Sequence, residues 1–464
     1  MTDADPESEA SHAGGSHDAD GDDHEGGNDH GGDHDHRHGH GGDHDHDDML
    51  PRSAAVDRVL TLREEALADR AAETVDLDAL SGRTLADPVE APGDLPPHDY
   101  ATMDGYAFDA TDEYPLDVVE LDVYPEDDPP TIGEGEAVRI ATGAPLPERA
   151  NAVLKREEST VEDGRLRGTD LDPGTYVYSR GSNVAAGDRL FAAGERLSPK
   201  DAVLLRDLGI ERVDVHRRFS VGVLATGTEI HEGTQSDLDS PMLAGLVEAW
   251  GGEATYEGTV PDEYDRVRGR IADLADEYDV VITTGGTSVG KKDYVIRALS
   301  DLGEVDFHRV PVRPGKPIAA ARLPEGGATA FAIPGKPVGA HTVATLVMRP
   351  FFTGEAGDPP SVPATLARDV GLGPAGFEYV IPVTFEDDPG HAAGTTDGHA
   401  DRDHPTAMPL GHADSSLSVY EETFDPSVLS SSTRATRAEG FVITESPLSA
   451  GDVVRVHPYP TVER

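Results

Sequence analysis

The chain has no cysteine in its 464 residues, which excludes a disulfide framework, a thiolate metal site and a cysteine nucleophile. Basic residues are scarce: 38 Lys plus Arg stand against 89 Asp plus Glu, a formal charge of −51 at pH 7. Such a chain repels itself in dilute buffer. Screening lengths of about 3 Å at molar ionic strength remove that penalty, so the composition reads as halophilic, suited to a concentrated cytoplasm. The acids are spread along the whole length rather than massed for one basic partner, and nucleic acid is not an expected partner. No run approaches the roughly 18 apolar residues needed to span a bilayer, and the first residues hold no apolar signal core. The expectation is a cytoplasmic protein with no membrane partner.

What is present argues for several domains, because a chain this long exceeds one ordinary hydrophobic core. Residues 1–48 are Asp, His and Gly with almost no large apolar side chain, and half of the 20 histidines lie there. That composition predicts a disordered tail. It reads either as a solvating acidic segment or as a weak buffer of Zn, Ni or Cu ions, and neither reading places it in catalysis. Residues 49–216 begin with a helix carrying Val56, Val59, Leu60 and Leu67, its exposed side filled by Arg63, Glu64 and Glu65. Short apolar runs broken by Gly and Pro follow and predict small β-rich modules. Ser198-Pro199 reads as a cap and first turn of a short helix. Residues 217–355 alternate strand, glycine loop and helix: strands near 219–225, 279–284, 305–312 and 328–333, an amphipathic helix on Tyr264, Val267, Ile271, Leu274 and Tyr278, and a helix from about Val338 to Met348. The expected fold is α/β plus β, multidomain. A doubly wound α/β domain lies between the N-terminal modules and a C-terminal β domain over 356–464, which holds an exposed loop near 387–403.

Loops at the carboxyl ends of strands carry the functional sites of such sheets. Three are glycine-rich: Gly285-Gly286-Thr287-Ser288-Val289-Gly290, Pro314-Gly315-Lys316-Pro317 and Pro334-Gly335-Lys336-Pro337. Glycine there lets backbone N–H groups close on an anion, phosphate being the natural guest, and a helix starting near Lys291 would add its positive end. Only six lysines occur in the chain, and four of them, Lys291, Lys292, Lys316 and Lys336, fall in or beside these loops. Neither glycine-lysine pair has the Ser or Thr of a Walker loop after it, which disfavours a P-loop NTPase. Glu229, Asp262 and Asp293 lie near the same loop ends, and carboxylates beside a phosphate site point to a hard divalent cation, Mg²⁺ above all.

Together these loops resemble those of the molybdopterin molybdenumtransferase family, MoeA and the gephyrin E domain. The resemblance runs from about residue 50 to 464 and rests on Thr102-Met103-Asp104-Gly105-Tyr106-Ala107, Arg139-Ile140-Ala141-Thr142-Gly143-Ala144-Pro145, Thr226-Gly227-Thr228-Glu229, the Gly285–Gly290 loop with Asp293-Tyr294, and the two Pro-Gly-Lys-Pro turns. It implies a molybdopterin-binding α/β domain and a homodimer with an active cleft shared between subunits. The implied reaction inserts molybdate, or tungstate, into adenylylated molybdopterin with release of AMP, aided by Mg²⁺, with molybdenum-pathway proteins as further partners. Asp104 and Thr142 match positions supplied across the dimer cleft; Glu229, Asp262 and Asp293 match acidic positions of the pterin domain, with Glu229 and Asp293 as the expected cation ligands. Gly285, Gly286, Thr287, Ser288, Gly290, Gly315, Lys316, Gly335 and Lys336 would bind substrate. Arg309 and Arg313 stand where many members carry lysine. Four apart on a strand, they would share a face and point at one oxyanion.

Three departures accompany the likeness. Asp239-Ser240-Pro241 stands where members often show Asp-Ser-Asn, and proline removes a backbone donor. Phe377-Glu378-Tyr379-Val380-Ile381-Pro382-Val383 lacks the arginine that members carry in this early strand, and Ser430-Ser431-Ser432 matches a later contact loosely. A divergent, non-catalytic carrier or scaffold for the cofactor is therefore the alternative reading. The related adenylyltransferase, which shares the Gly-Gly-Thr-Ser-Val-Gly loop, is usually one small domain and fits less well.

Overall fold

The computed structural model describes residues 49–287, 294–386 and 404–464; the expectations for the 1–48 segment and the 387–403 loop lie outside them. Helix α1 (Arg52–Ala68) turns Ala55, Val56, Val59, Leu62 and Leu67 inward, and most of this face joins the core beneath the α/β sheet. Arg63 departs from the expected exposed face. It is only 5 % exposed and donates to Thr84 Oγ1 at 3.3 Å and the Gly194 carbonyl at 3.1 Å, because N-terminal loops cover that side of the helix.

Strands Ala72–Asp76 and Arg212–His216 pair antiparallel, and a six-stranded mixed sheet lies between them in sequence. Its strand Gly105–Phe108, next to one edge, is flanked by Glu136–Ile140 and by the edge strand Ala152–Lys155. Helix α2 (Asp201–Asp207) starts later than the expected Ser198 cap. The capping chemistry is reversed, since the Asp201 carboxylate accepts from the Ser198 N–H at 2.6 Å and its hydroxyl at 2.7 Å.

The α/β domain is built from β1 (Ser220–Thr226), α3 (Thr228–His231), α4 (Asp239–Ala249), β2 (Glu253–Val260), α5 (Tyr264–Glu277), β3 (Val280–Thr284), α6 (Tyr294–Leu302), β4 (Glu304–His308), β5 (Val312–Arg313), β6 (Ala319–Leu323), β7 (Ala328–Ile333), α7 (Pro337–Val343) and α8 (Arg349–Thr353). The sheet order is β2-β1-β3-β7-β6-β4, with the first four strands parallel and β6 antiparallel to both neighbours. Strands β3 and β7 are buried at every residue, as expected of parallel strands covered on both faces. Val267, Ile271 and Leu274 of α5 with Val295 and Leu299 of α6 pack one face; Leu243, Val247 and Trp250 at α4 with Val338 and Val343 of α7 pack the other. The doubly wound expectation is met.

Two local expectations change. The strand expected over 305–312 is two strands: β4 stops at His308, Arg309 adopts φ +75°, and β5 leaves the sheet altogether. Pro241 is the third residue of α4, where no intrahelical partner exists for an N–H, so the missing donor costs nothing.

The C-terminal strands β8 (Val362–Leu366), β9 (Glu378–Glu386), β10 (Thr406–Pro409), β11 (Gly440–Thr444) and β12 (Val453–Pro458) close on one another in the order β9-β10-β8-β12-β11, with β11 returning to β9. Strand β5 of the α/β domain joins this sheet in parallel with β9, pairing Val312 with Glu378 and Arg313 with Tyr379. A short helix α9 (Pro426–Leu429), capped by the Asp425 carboxylate, lies between β10 and β11.

Candidate functional site

The three turns lie next to one another, the first and third at the carboxyl ends of the parallel strands β3 and β7 and the second between β5 and β6. Gly285 and Gly286, after β3, have φ +82° and +63°, a left-handed backbone that glycine adopts without penalty. The Gly285 N–H donates to the Ile333 carbonyl at the end of β7, 3.0 Å away. A methyl group on Gly335 would stand 3.0 Å from the Gly285 Cα, so the first and third turns touch. The second packs on the helix that follows the third: a methyl on Gly315 would lie 3.1 Å from the Gly339 carbonyl and 2.3 Å from Val343 Cγ1. Ser288, Gly290 and Asp293, with Lys291 and Lys292, lie outside the described residues.

The carboxylates stand at the ends of adjacent strands. Gly227, at φ +141°, turns the chain from β1 into α3, and the Glu229 carboxylate folds back over it: its oxygens lie 3.2 and 3.4 Å from where a Gly227 methyl would be. Asp262, after β2, accepts from the Thr228 N–H at 3.3 Å, and its own N–H donates to Thr228 Oγ1 at 3.1 Å. Thr228 thereby ties Asp262 to the residue before Glu229. Among the described residues no three Asp, Glu or His side chains form a ready-made metal cage. Two hard carboxylates at neighbouring strand ends would still suit Mg²⁺, which takes one or two carboxylates and completes its shell with waters and other oxygen ligands.

The basic residues are arranged differently from the strand picture. With Arg309 in a left-handed conformation between two different sheets, the even-spacing argument for Arg309 and Arg313 fails. The Arg309 N–H donates to the Ile318 carbonyl at 2.8 Å, and its own carbonyl accepts from the Leu50 N–H at 3.1 Å. Arg313 lies over the Phe377 ring of the C-terminal domain, its Cζ 3.9 Å from the centroid, with Lys316 Nζ 5.8 Å from the same centroid. Lys336 Nζ donates to the Ser427 carbonyl at 3.0 Å, so this ammonium also fastens α9 to the third turn. The same junction holds the Val338 N–H on the Ser430 carbonyl at 3.2 Å.

Sequence reasoning missed His308. Its ring bonds to the Thr287 backbone, while burial and the neighbouring Arg309 charge lower its pKa and favour the neutral imidazole. It joins the end of β4 to the first turn. A lone histidine at a strand end carries no signal in sequence.

Asp104 and Thr142 meet. The Asp104 carboxylate accepts from the Thr142 N–H and hydroxyl, both at 2.7 Å, and these bonds, with the charges of Arg156 and Arg139, lower its pKa. The pair is exposed on the N-terminal six-stranded sheet, and these partners all belong to that part of the chain.

Comparison with known proteins bears on this arrangement. The pattern for the MoeA N-terminal region (domain I and II) matches residues 51–209, and that for a probable molybdopterin binding domain matches residues 222–354. The molybdopterin molybdenumtransferase of Synechococcus elongatus is 31 % identical over 328 residues, 66 % of this chain and 80 % of that protein. The Haemophilus influenzae protein of the same name is 31 % identical over 292 residues, 60 % of this chain and 72 % of its own. The crystal structure of a molybdopterin biosynthesis MoeA protein from Pyrococcus horikoshii superposes with a TM-score of 0.63 at 28 % identity, covering 89 % of this chain and 99 % of that one. Converging turns on a doubly wound sheet, the Asp104–Thr142 pair on a separate sheet, and likeness spanning both lead to one conclusion: the chain belongs to the molybdopterin molybdenumtransferase family.

Proposed function

We propose that this chain, a transferase of molybdenum cofactor biosynthesis, inserts molybdenum from molybdate, or tungsten from tungstate, into adenylylated molybdopterin and releases AMP. The observation that carries the reading is the contact of the Gly285 and Gly335 turns at the ends of neighbouring parallel strands, with the Gly315 turn packed on the helix that follows the second of them, which gathers glycine-rich backbone suited to a phosphorylated guest. Glu229 and Asp293 would hold Mg²⁺, with Asp262 orienting the Glu229 turn through Thr228; bound there, the cation neutralises charge on the departing phosphate. Ser288 and Gly290 extend the first cradle in this reading. Arg309 and Lys316 draw in the oxyanion, and Thr142 holds the Asp104 carboxylate ionised at the cleft. Asp104 and Thr142 serve the pterin site of a partner subunit in a cytoplasmic homodimer.

The test mixes purified protein, adenylylated molybdopterin, molybdate and Mg²⁺ at high salt and follows AMP and active cofactor. The unaltered chain releases AMP in step with cofactor formed, and Asp104→Asn, which keeps the shape and removes the charge, loses at least about a hundredfold in rate. Tight pterin binding without AMP release overturns the transferase reading and leaves a carrier.

A further inference from the structure

We propose that a small cavity at the joint between the N-terminal modules and the α/β domain is a chloride site, where one desolvated halide neutralises a surplus of arginines. The cavity has a volume of about 20 Å³, room for a single water-sized guest and not for a tetrahedral oxyanion. Leu67 of α1, Gly82 and Thr84 of the N-terminal modules, and Trp250 and Phe352 of the α/β domain form part of its wall. The charged and titratable part of the wall is Arg83, His216, Arg217 and Arg218, and no described residue lining the cavity is acidic. In a chain with 89 acidic residues against 38 Lys plus Arg, an acid-free wall holding three arginines runs against the composition and attracts an anion.

The neighbouring acids are already engaged. Glu73 accepts from Arg83, Glu355 accepts from Arg349, and Asp279 pairs with Arg70 at 2.8 Å. Three arginines stand without a carboxylate in ion-pair contact among the described residues. Arg218 donates to the Gly251 carbonyl at 3.0 Å, and Arg63, 5 % exposed, reaches the neutral oxygens of Thr84 and Gly194. The Arg196 side chain has no hydrogen bond among the described residues, and its Nη2 lies 3.3 Å from where a methyl on the lining residue Gly82 would be. The Nε atoms of Arg63 and Arg196 and the Nδ1 of His216 are buried with no hydrogen-bond partner. Burial lowers the Arg196 pKa, and the charges of Arg349 and Arg218 lower it further against the pull of Glu355. Burial also lowers the His216 pKa, and the charges of Arg70 and Arg63 add to it, so the ring is neutral at pH 7. Buried arginines without a counter-charge are costly. A chloride accepting from the N–H groups of the wall supplies that charge from within the cavity, and because the wall is drawn from both sides of the joint, the ion fastens the N-terminal modules to the α/β domain.

Two measurements on the full-length chain test this. In crystals grown with potassium bromide in place of chloride, anomalous scattering places a bromide in the cavity, within hydrogen-bond reach of Arg218 or Arg83. In solution, the melting temperature is followed as chloride is replaced by gluconate, an anion too large for the cavity, at constant potassium. Each chain is compared with itself, so a variant that is merely less stable does not mimic the result. The unaltered chain loses about 4 °C more than Arg218→Gln on losing chloride, because a ligand bound only by the folded state stabilises it by mass action. Arg368→Gln, which removes an arginine of the C-terminal domain paired with Asp414, responds as the unaltered chain does. A cavity that holds water or nothing in bromide crystals overturns the proposal. A bromide in the cavity with the same chloride response in the unaltered chain and in Arg218→Gln marks an adventitious ion only, and overturns it as well.

Discussion

Arg309 occupies a backbone conformation, φ +75°, that costs an L side chain about 1 kcal/mol or more and glycine almost nothing. It is held there from two sides, by Ile318 and by Leu50, and the main chain alone would be better served by glycine. The half-buried side chain, whose charge acts on the neighbouring His308, is what glycine there would lose. Stability and binding therefore separate on substitution. Arg309→Gly is more stable than Arg309→Ala by about 1 kcal/mol, while both lose the same affinity for adenylylated molybdopterin, about tenfold. Denaturant midpoints and KM values for the two variants check this; equal stabilities would show that the left-handed backbone carries no strain. At this scale the sequence is a partial guide. Glycine spacing marked Gly285, Gly315 and Gly335 because close approach leaves no other residue, whereas nothing in a run of residues distinguishes Arg309 as a break between two sheets.

At the scale of elements, the start of α4 carries a buried carboxyl. Asp239 is 6 % exposed, and burial, with the charge of Asp237 adding to it, raises its pKa from 3.8 to about 6. Its Oδ1, Asp237 Oδ2 and Ser240 Oγ are buried without hydrogen-bond partners. A carboxyl with a raised native pKa binds its proton more tightly in the fold than in the unfolded chain. Its contribution is full below the unfolded value and is lost as pH rises from about 4 through about 6, amounting to no more than about 3 kcal/mol. Asp239→Asn, neutral at every pH, is expected to stabilise the chain at pH 7.5 by about 1 to 3 kcal/mol and to give no advantage at pH 4. Urea midpoints across that range measure it, and a pH-independent difference would show that Asp239 is not protonated by burial. Element legibility followed periodicity. The three- and four-residue steps from Tyr264 to Tyr278 became α5, and the apolar runs at 280–284 and 328–333 became buried strands. The run at 305–312 misled because an apolar alternation is silent about which sheet a strand joins. The local order places β5 beside β4, yet it pairs with β9, a partner more than sixty residues on.

For the whole molecule, the candidate site residues stand in two groups on different sheets. Asp104 and Thr142 bond to each other on the N-terminal sheet, while the glycine turns, Glu229 and Asp262 gather at the end of a different sheet. Two half-sites on one chain can work by folding together or by meeting their counterparts in a second copy. A symmetric two-fold pairing places each half-site of one copy against the other half-site of its partner, giving two equal clefts. Mixing inactive variants separates these routes. Asp104→Ala and Glu229→Ala chains, each inactive alone, form heterodimers in which one cleft loses both groups and the other keeps both. Random exchange of equal amounts makes about half the dimers mixed, each with one intact cleft, so AMP release returns to about a quarter of the unaltered rate. If each cleft were built within one chain, every cleft in the mixture would carry one lesion and no activity would return. Restoration that also depends on protein concentration, falling as dimers dissociate on dilution, ties the recovered rate to assembly itself.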